Sequence, residues 1–337
     1  MMVAIDAGSS MIKIIEGEPR RNGVRVVRAV MTETPAGAVR DGNLLATEEV
    51  ASVIRLALSR ARIKSRAVTF TVGSTEILHR ELSVPRVDAK RLAPIVQNEM
   101  YQHLTGGEGY TVDYLLSSKP VPDSPGLQLV NASGMPKTMA AEYLVLTNML
   151  RMKPGSLQIH PSATAKLLAG AAANDIPLND KSYILCDIGG QTMFIYLYEG
   201  ADLLFTRCVK TPCEDFFQAM LRLDGFDKRA QVHEGVDLSP EALAIDARVA
   251  QASSALLQFL SEELQRMLQF SLSRNLQSPV QTVLLCGGTS TLRGLDTYLG
   301  SALDLPVQRL GALSGVTSPP DADIALYINA IGAIARR

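Results

Sequence analysis

The chain has no tryptophan, only four cysteines and only four histidines in 337 residues, and aromatics make up just 5% of it. Four scattered histidines and a Cys208–Cys213 spacing unlike C-x-x-C carry no zinc signature. So few thiols exclude a disulfide-stapled scaffold and fit a reducing compartment, with Cys186 and Cys286 read as buried thiols at the ends of apolar strands. No run approaches the roughly 18–20 apolar residues of a membrane helix. The N-terminus enters a strand directly, without a signal-peptide pattern. Charge of one sign is lacking too. Lys and Arg number 33 against 34 Asp and Glu, for a net charge of −1, which excludes the basic field that nucleic acid requires. Arg20-Arg21 and Arg336-Arg337 are too short to alter this and read as solvated. A cytoplasmic protein is expected. P-loop and G-x-G-x-x-G motifs are also missing, so readings that depend on them lack support.

What is present is an ordered composition, 47% hydrophobic and 20% charged, in a chain long enough for two domains. One kind of element occurs three times: a short apolar strand, an acidic or glycine-containing turn, then small and hydroxyl residues. The copies are Val3 to Ser10, Ile184 to Thr192 and Val283 to Ser290. The first two are near-duplicates, each with an aspartate at a strand end and glycine in the turn.

The opening reads as strands at 3–7, 11–16 and 24–31, with an Asn22-Gly23 hairpin turn between the last two. A helix follows over Thr47 to Ala61, with Thr47 as N-cap and Val50, Val53, Ile54, Ala57 and Leu58 on its apolar face. Strands at 67–73 and 76–83 complete a mixed sheet. From Pro85 the texture changes. Asp88 can cap a helix to about His103, strands follow at 110–118 and 127–133, and Lys137 to Met152 reads as a second helix. This helix-strand-strand-helix unit is expected to be a small inserted subdomain over 85–156, with 1–84 and 157–180 forming the first lobe. Residues 157–173 return to the first sheet and end in a helix from Ser162 to Ala173. The second lobe, 181–337, opens with strands at 182–188, 192–199 and 202–209 and a helix from Glu214 to Asp224. A helical part spans about 225–275, where Pro240 to Arg274 fits one long helix or two abutting ones. A strand at 280–286, a helix from Leu292 to Leu303 and a closing helix from Ala325 to Ala335 follow. The similar order of the halves points to an internal structural repeat.

Each motif has a chemistry and a plainer alternative. Asp6, Gly8, Ser9, Ser10 and Lys13 can form a phosphate-binding hairpin: glycine admits close backbone approach, hydroxyls donate, and Lys13 offers a compact cation. Taken alone, the same residues are an ordinary hairpin with an exposed lysine. Asp187, Gly189, Gly190, Gln191 and Thr192 repeat the logic, and Asp187 is the catalytic candidate. Asp6 and Asp187 together can hold hydrated Mg²⁺. Gly287-Gly288-Thr289, opening a helix, can receive a nucleoside. Glu263 and Arg266, one helical turn apart, could flank it, although a surface ion pair is their plainer reading.

In this order the three motifs resemble the actin-like ATPase superfamily. The implied fold is α/β, two-lobed and ribonuclease H-like, and the implied cofactors are ATP and Mg²⁺. The segment Val84-Pro85-Arg86 to His103, with Tyr110 to Leu116, is similar to the inserted subdomain of the FtsA-like branch. Leu127 to Leu150, Glu263 to Phe270 and Tyr327 to Gly332 are similar to the PilM family of type IV pilus assembly proteins within it. That resemblance implies a scaffold at the inner face of the membrane. It would dock the short cytoplasmic N-terminal tail of a PilN-like inner-membrane protein, in a groove with candidates around 85–105 and 140–160. It would also link this partner to other pilus platform proteins. Self-association and weak ATPase activity are open on this resemblance. His160-Pro161 stands where family members often have Glu-Pro, so slow or absent hydrolysis is expected. A small-molecule kinase, an FtsA-like membrane-associated polymer and a chaperone-like member of the superfamily are the alternatives. No kinase cleft with a catalytic base and no terminal amphipathic helix favours the first two, so membrane contact is expected only through partners.

Overall fold

In a computed structural model, which describes residues 1–121, 124–223, 225–274 and 276–336, the chain folds twice into the same topology. In the first lobe, β1 (Met2–Ala7), β2 (Met11–Arg20) and β3 (Gly23–Glu33) form an antiparallel meander. A small hairpin of β4 (Val39–Arg40) and β5 (Asn43–Leu44) leads into α1 (Thr47–Arg60), and β6 (Ala67–Val72) then pairs parallel to β1. The chain leaves this sheet for β7 (Leu78–Pro85), α2 (Ala89–Tyr101), β8 (Tyr110–Pro120) and β9 (Leu127–Pro136). It returns through α3 (Lys137–Met149) to β10 (Lys153–Ile159), which pairs parallel to β6, and to α4 (His160–Leu168). A short hairpin of β11 (Ala172–Ala173) and β12 (Ile176–Pro177) crosses to the second lobe.

There β13 (Ser182–Ile188), β14 (Thr192–Glu199) and β15 (Asp202–Lys210) repeat the meander. Helices α5 (Cys213–Met220), α6 (Arg229–Gly235), α7 (Pro240–Ile245) and α8 (Ala247–Leu272) follow. Then β16 (Val280–Cys286), α9 (Leu295–Leu303), β17 (Val307–Arg309), β18 (Val316–Thr317) and α10 (Ile324–Ile334) complete the order. The first sheet runs β10-β6-β1-β2-β3-β18 and the second β17-β16-β13-β14-β15; apart from the added edge strand β18 they correspond strand for strand, so the repeat expected from the sequence is a repeat of topology.

Helix starts follow local chemistry. Asp88 caps α2 by accepting from the amides of Lys90 and Arg91, and Asp246 caps α8 and divides it from α7. Thr47 is a helical residue rather than a cap: the cap position of α1 is Ala46, which makes no side-chain bond. Helix α4 stops at Leu168, and Ala172–Ala173 is strand rather than the end of an alanine-rich helix. The helix expected at 214–224 is α5, Cys213–Met220; Asp224 lies outside the described residues, as does Arg337 of the expected terminal cluster. Almost every residue of α10 is buried, against α4, β1 and β2, so the last helix in sequence completes the first lobe.

The inserted unit differs from expectation in its members. β7 joins β9 and β8 in a three-stranded sheet covered by α2, with Leu82, Val84, Leu92, Val96, Met100 and Val130 as its core. Helix α3 instead buries Met139, Tyr143 and Leu146 in the first-lobe core beside Ile5, Ile14 and Ile54. The face of this small sheet away from α2 meets the second lobe. Arg274 pairs with Glu81 at 2.5 Å, the Ser118 amide donates to Asp202 at 2.8 Å, Asn131 Nδ2 donates to the Leu203 carbonyl, and Lys119 pairs with Glu199. The subdomain therefore bridges from its own lobe to the edge strand β15 of the other.

Candidate functional site

The two meanders put their first turns tip to tip. In the first, the Gly8 amide donates to the Met11 carbonyl at 3.2 Å; in the second, the Gly189 amide donates to the Thr192 carbonyl at 2.9 Å. A Cβ would lie 2.8 Å from Met11 O at Gly8 and 2.9 Å from Thr192 O at Gly189, so both turns close this tightly only with glycine. A Cβ on Gly190 would run into the Ser10 side chain, which shows how near the tips are. Gln191 Oε1 accepts from the Asp41 amide at 3.3 Å, and Arg229 of α6 donates to Ser10 Oγ at 3.4 Å while pairing with Glu214. An open cleft of about 600 Å³ lies beside the tips, lined by Arg40, Asp41, Glu76, Gln191, Lys210 and Glu214 among others.

Beneath the tips lies a charged cluster. Asp6, opposite Lys13 in the β1–β2 register, accepts from Lys13 Nζ at 3.3 Å, and its other oxygen is 3.2 Å from His160 Nε2. His160 opens α4 with Pro161 behind it, and its Nδ1 is 3.9 Å from Asp187 Oδ2 in the second lobe. Asn329 of α10 donates to the same Asp187 oxygen at 2.8 Å. Burial opposes the charge on Asp6, but Lys13 and His160 outweigh it and hold the carboxyl well below the usual range. Burial likewise opposes the Lys13 ammonium, and Asp6 and Asp187 more than compensate, raising it. The arrangement puts one ammonium and two carboxylates beneath the two glycine turns and the Ser10 hydroxyl, groups that suit a polyphosphate with a hydrated divalent ion.

Three buried polar atoms around this cluster have no partner: Thr71 Oγ1, on the β6 residue paired with Asp6, His160 Nδ1, and Asn329 Oδ1. Unsatisfied buried groups are costly, and these three could be satisfied by water or by a ligand with matching donors or acceptors. The donor set fits Mg²⁺ held through water. Among the described residues no group of three or more His, Cys, Asp or Glu is arranged to hold a metal by itself, so an ion here would depend on phosphate and water for its remaining ligands.

The third motif splits in two. Gly287 packs on Asp187 and the Ile188 backbone, and Gly288 faces open space. Thr289 is buried and bonds Cys213 Sγ at 3.4 Å, which joins this turn to the start of α5. His233 of α6 bonds Thr291 at 2.8 Å, so α6 lies over both this turn and Ser10. Glu263 and Arg266 are not brought to the hairpins by any bond described. Glu263 is buried and shared by Arg207 (2.7 Å) and Arg266, and Arg266 also pairs with Glu262 at 3.1 Å. Arg207 stands three residues in from the Thr192–Lys210 end of β15, roughly 10 Å along the strand.

The structure thus brings Asp6, Gly8, Ser9, Ser10, Lys13, Asp187, Gly189, Gly190, Gln191 and Thr192 together where the two hairpins meet, with Gly190, Gln191 and Thr192 lining the cleft and Gly287 packed on Asp187. Sequence reasoning missed Arg229 and His233, which sit in a stretch with no motif beyond the doublet Lys228-Arg229. It noticed His160 only as an absent glutamate, and Asn329 only as part of a terminal run.

Two lobes of one repeated topology, joined around facing glycine hairpins with paired aspartates, define the actin-like fold. Along 99% of its length this chain is similar in structure to the PilM–PilN type IV pilus biogenesis complex, at a TM-score of 0.79 and 21% identity, covering 97% of that chain. It is also similar to the ethanolamine utilization protein EutJ from Carboxydothermus hydrogenoformans, at a TM-score of 0.55 and 13% identity over 98% of this chain and 88% of that one. MreB5 of Spiroplasma citri bound to ADP follows at a TM-score of 0.51 and 11% identity, over 98% and 94%. No family model matches the chain, and no curated protein matches it.

Proposed function

We propose that the chain is an ATP-binding scaffold of type IV pilus assembly that docks the cytoplasmic tail of a PilN-like inner-membrane protein. The observation that carries the nucleotide half is the convergence of Asp6, Lys13, His160, Asp187 and Asn329 beneath the two glycine hairpins, with three buried polar atoms that lack a protein partner. Asp6 and Asp187 would hold Mg²⁺ through water, and Lys13 and the hairpin amides would take the phosphates. The likeness to the PilM–PilN complex extends through the inserted unit, and this supports the pilus half. At the root of that unit, outside the 85–105 and 140–160 segments, a cavity of about 270 Å³ is bounded by Arg80, Glu81, Asp113, Asn131 and Arg274 as well as Phe205 and Phe270, and would suit a polar segment of a docked tail carrying one apolar side chain. No helix among the described residues is long and apolar enough to cross a membrane, so membrane attachment through the partner is part of the proposal.

Hydrolysis is slow or absent in this reading, because His160 takes the place where a carboxylate would position water. Calorimetric titration of Mg-ATP into the protein tests the site: saturable binding is expected, and is lost in Asp187→Ala. Absence of binding in the unaltered chain refutes the nucleotide half. Rapid phosphate release refutes the slow-hydrolysis part alone.

A further inference from the structure

The cleft beside the hairpin tips has walls that repel a polyphosphate. The carboxylates of Asp41, Glu76, Glu142 and Glu214 line it, against the cations of Arg40 and Lys210. Lys13, beneath the tips, is already engaged by carboxylates: it pairs with Asp6 at 3.3 Å and feels the charge of Asp187. Like charges in a cleft disfavour an anion, so a phosphate chain needs a further cation at the tips themselves. Arg229 is placed to supply it. It opens α6, which is fixed to the second lobe through His233: that ring bonds Thr291 at 2.8 Å and packs on the buried Phe217 ring. The Arg229 guanidinium lies 5.1 Å from the centre of the same Phe217 ring. From there it reaches the other lobe. Nη1 donates to Ser10 Oγ at 3.4 Å, while Nη2 pairs with Glu214. Ser10 faces Gly190 of the opposite hairpin, so the guanidinium ends where the two tips meet.

We infer that Arg229 is a phosphate ligand of the bound nucleotide, supplied across the cleft by α6, and that Glu214 competes with the phosphate for its guanidinium. The inference rests on the nucleotide reading above. A phosphate oxygen accepting from the Ser10 hydroxyl would lie about 2.7 Å from it, within one further hydrogen bond of Arg229 Nη1. The exchange of partners is easy. The Arg229 and Glu214 side chains are 35% and 44% exposed, and ion pairs that open to water hold weakly. When the guanidinium leaves, Glu214 keeps Gln218 Nε2 as a donor at 3.1 Å. A phosphate carries more charge than a carboxylate and fits the planar fork of arginine equally well, so it is the stronger acceptor.

The test titrates Mg-ATP by calorimetry into the full chain, unaltered and as Arg229→Gln, Arg229→Lys, Glu214→Gln and the double variant Arg229→Gln with Glu214→Gln. Arg229→Gln is expected to weaken binding by about 10- to 100-fold, the loss of a hydrogen bond to a charged group. Arg229→Lys, which keeps the charge and loses the fork, should fall between. Glu214→Gln should tighten binding by roughly two- to fivefold, the strength of an exposed ion pair, and this gain should vanish in the double variant. A merely structural ion pair would give the two single variants losses of the same sign, and that result overturns the inference. So does a gain that persists in the double variant, because Glu214 would then act on the nucleotide without Arg229. Should the Arg229 variants fail to fold, phenylglyoxal labelling of unaltered protein decides: Mg-ATP is expected to protect Arg229, and equal labelling with and without it overturns the assignment. Binding that is lost in Asp187→Ala but untouched in Arg229→Gln sinks this inference alone. Absence of binding in the unaltered chain sinks the nucleotide reading and this inference with it.

Discussion

Gly287 and Gly288 are neighbours in one motif, yet their substitutions should behave oppositely. Gly287 has φ +85° and ψ 172°, a region essentially confined to glycine, where another residue costs about 1–3 kcal/mol in backbone strain. Its environment adds to this. A Cβ there would collide with Asp187 Oδ1 and lie 2.6 Å from Ile188 O and 2.8 Å from Ile188 N. The last two atoms are backbone, so the ends of β13 and β16 must move apart and carry Asp187 away from His160 and Asn329. A Cβ on Gly288 meets nothing within 4 Å. Gly287→Ala should therefore destabilise by about 3 kcal/mol or more, and at 2–4 °C per kcal/mol lower the melting temperature by about 6 °C or more. It should also weaken Mg-ATP binding, read by calorimetry. Gly288→Ala should leave the melting temperature within about 1 °C, the range of an exposed, strain-free change. Equal melting temperatures for the two variants, or a Gly287→Ala protein with unchanged stability, would refute the reasoning.

Two further outcomes follow from buried charge. Burial pushes the His79 imidazole down to about 4 from 6.5, so the unfolded chain takes up a proton before the folded one as pH falls. Stability should therefore decline between pH 6.5 and 4 by about 3 kcal/mol, at 1.36 kcal/mol per pH unit, and denaturant midpoints of His79→Gln should lack this slope. Lys13→Met leaves the Asp6 carboxylate in the core without its ammonium partner, and breaking a buried pair costs about 3–5 kcal/mol. The folded carboxyl of Asp6 lies below its unfolded value, so its contribution is complete above about pH 4 and fades below it. In Lys13→Met that fading should begin at higher pH, as followed by melting temperature against pH.

The hairpins, their aspartates and the repeat were legible in the sequence because they are written locally, in apolar runs that end on aspartate and glycine at fixed offsets. What escaped notice depends on where distant segments meet. β7 reads as a strand either way, but its place in the small sheet is set by pairing with β9, more than forty residues on, as in the contact of Leu78 with Gly134. Helix α3 has apolar residues on more than one side, and its assignment to the first-lobe core is decided by Ile5, Ile14 and Ile54 rather than by its own periodicity. Glu263 and Arg266 sit at a spacing that equally describes an ion pair, and the partner Arg207 comes from β15, far away in sequence. Arg229 carries no motif at all; it matters only because α6 folds back over Ser10.

Helix α10 follows the whole second lobe in sequence but packs on β1, β2 and α4 of the first. During synthesis the strand that bears Asp6 leaves the ribosome more than three hundred residues before Asn329, which holds Asp187. Until then the first sheet has an uncovered apolar face, with Ala4 and Ile15 waiting for Ile328 and Ile331. The nascent chain should therefore be a client for chaperones until α10 emerges, and the cleft should become competent in one step at that point rather than lobe by lobe.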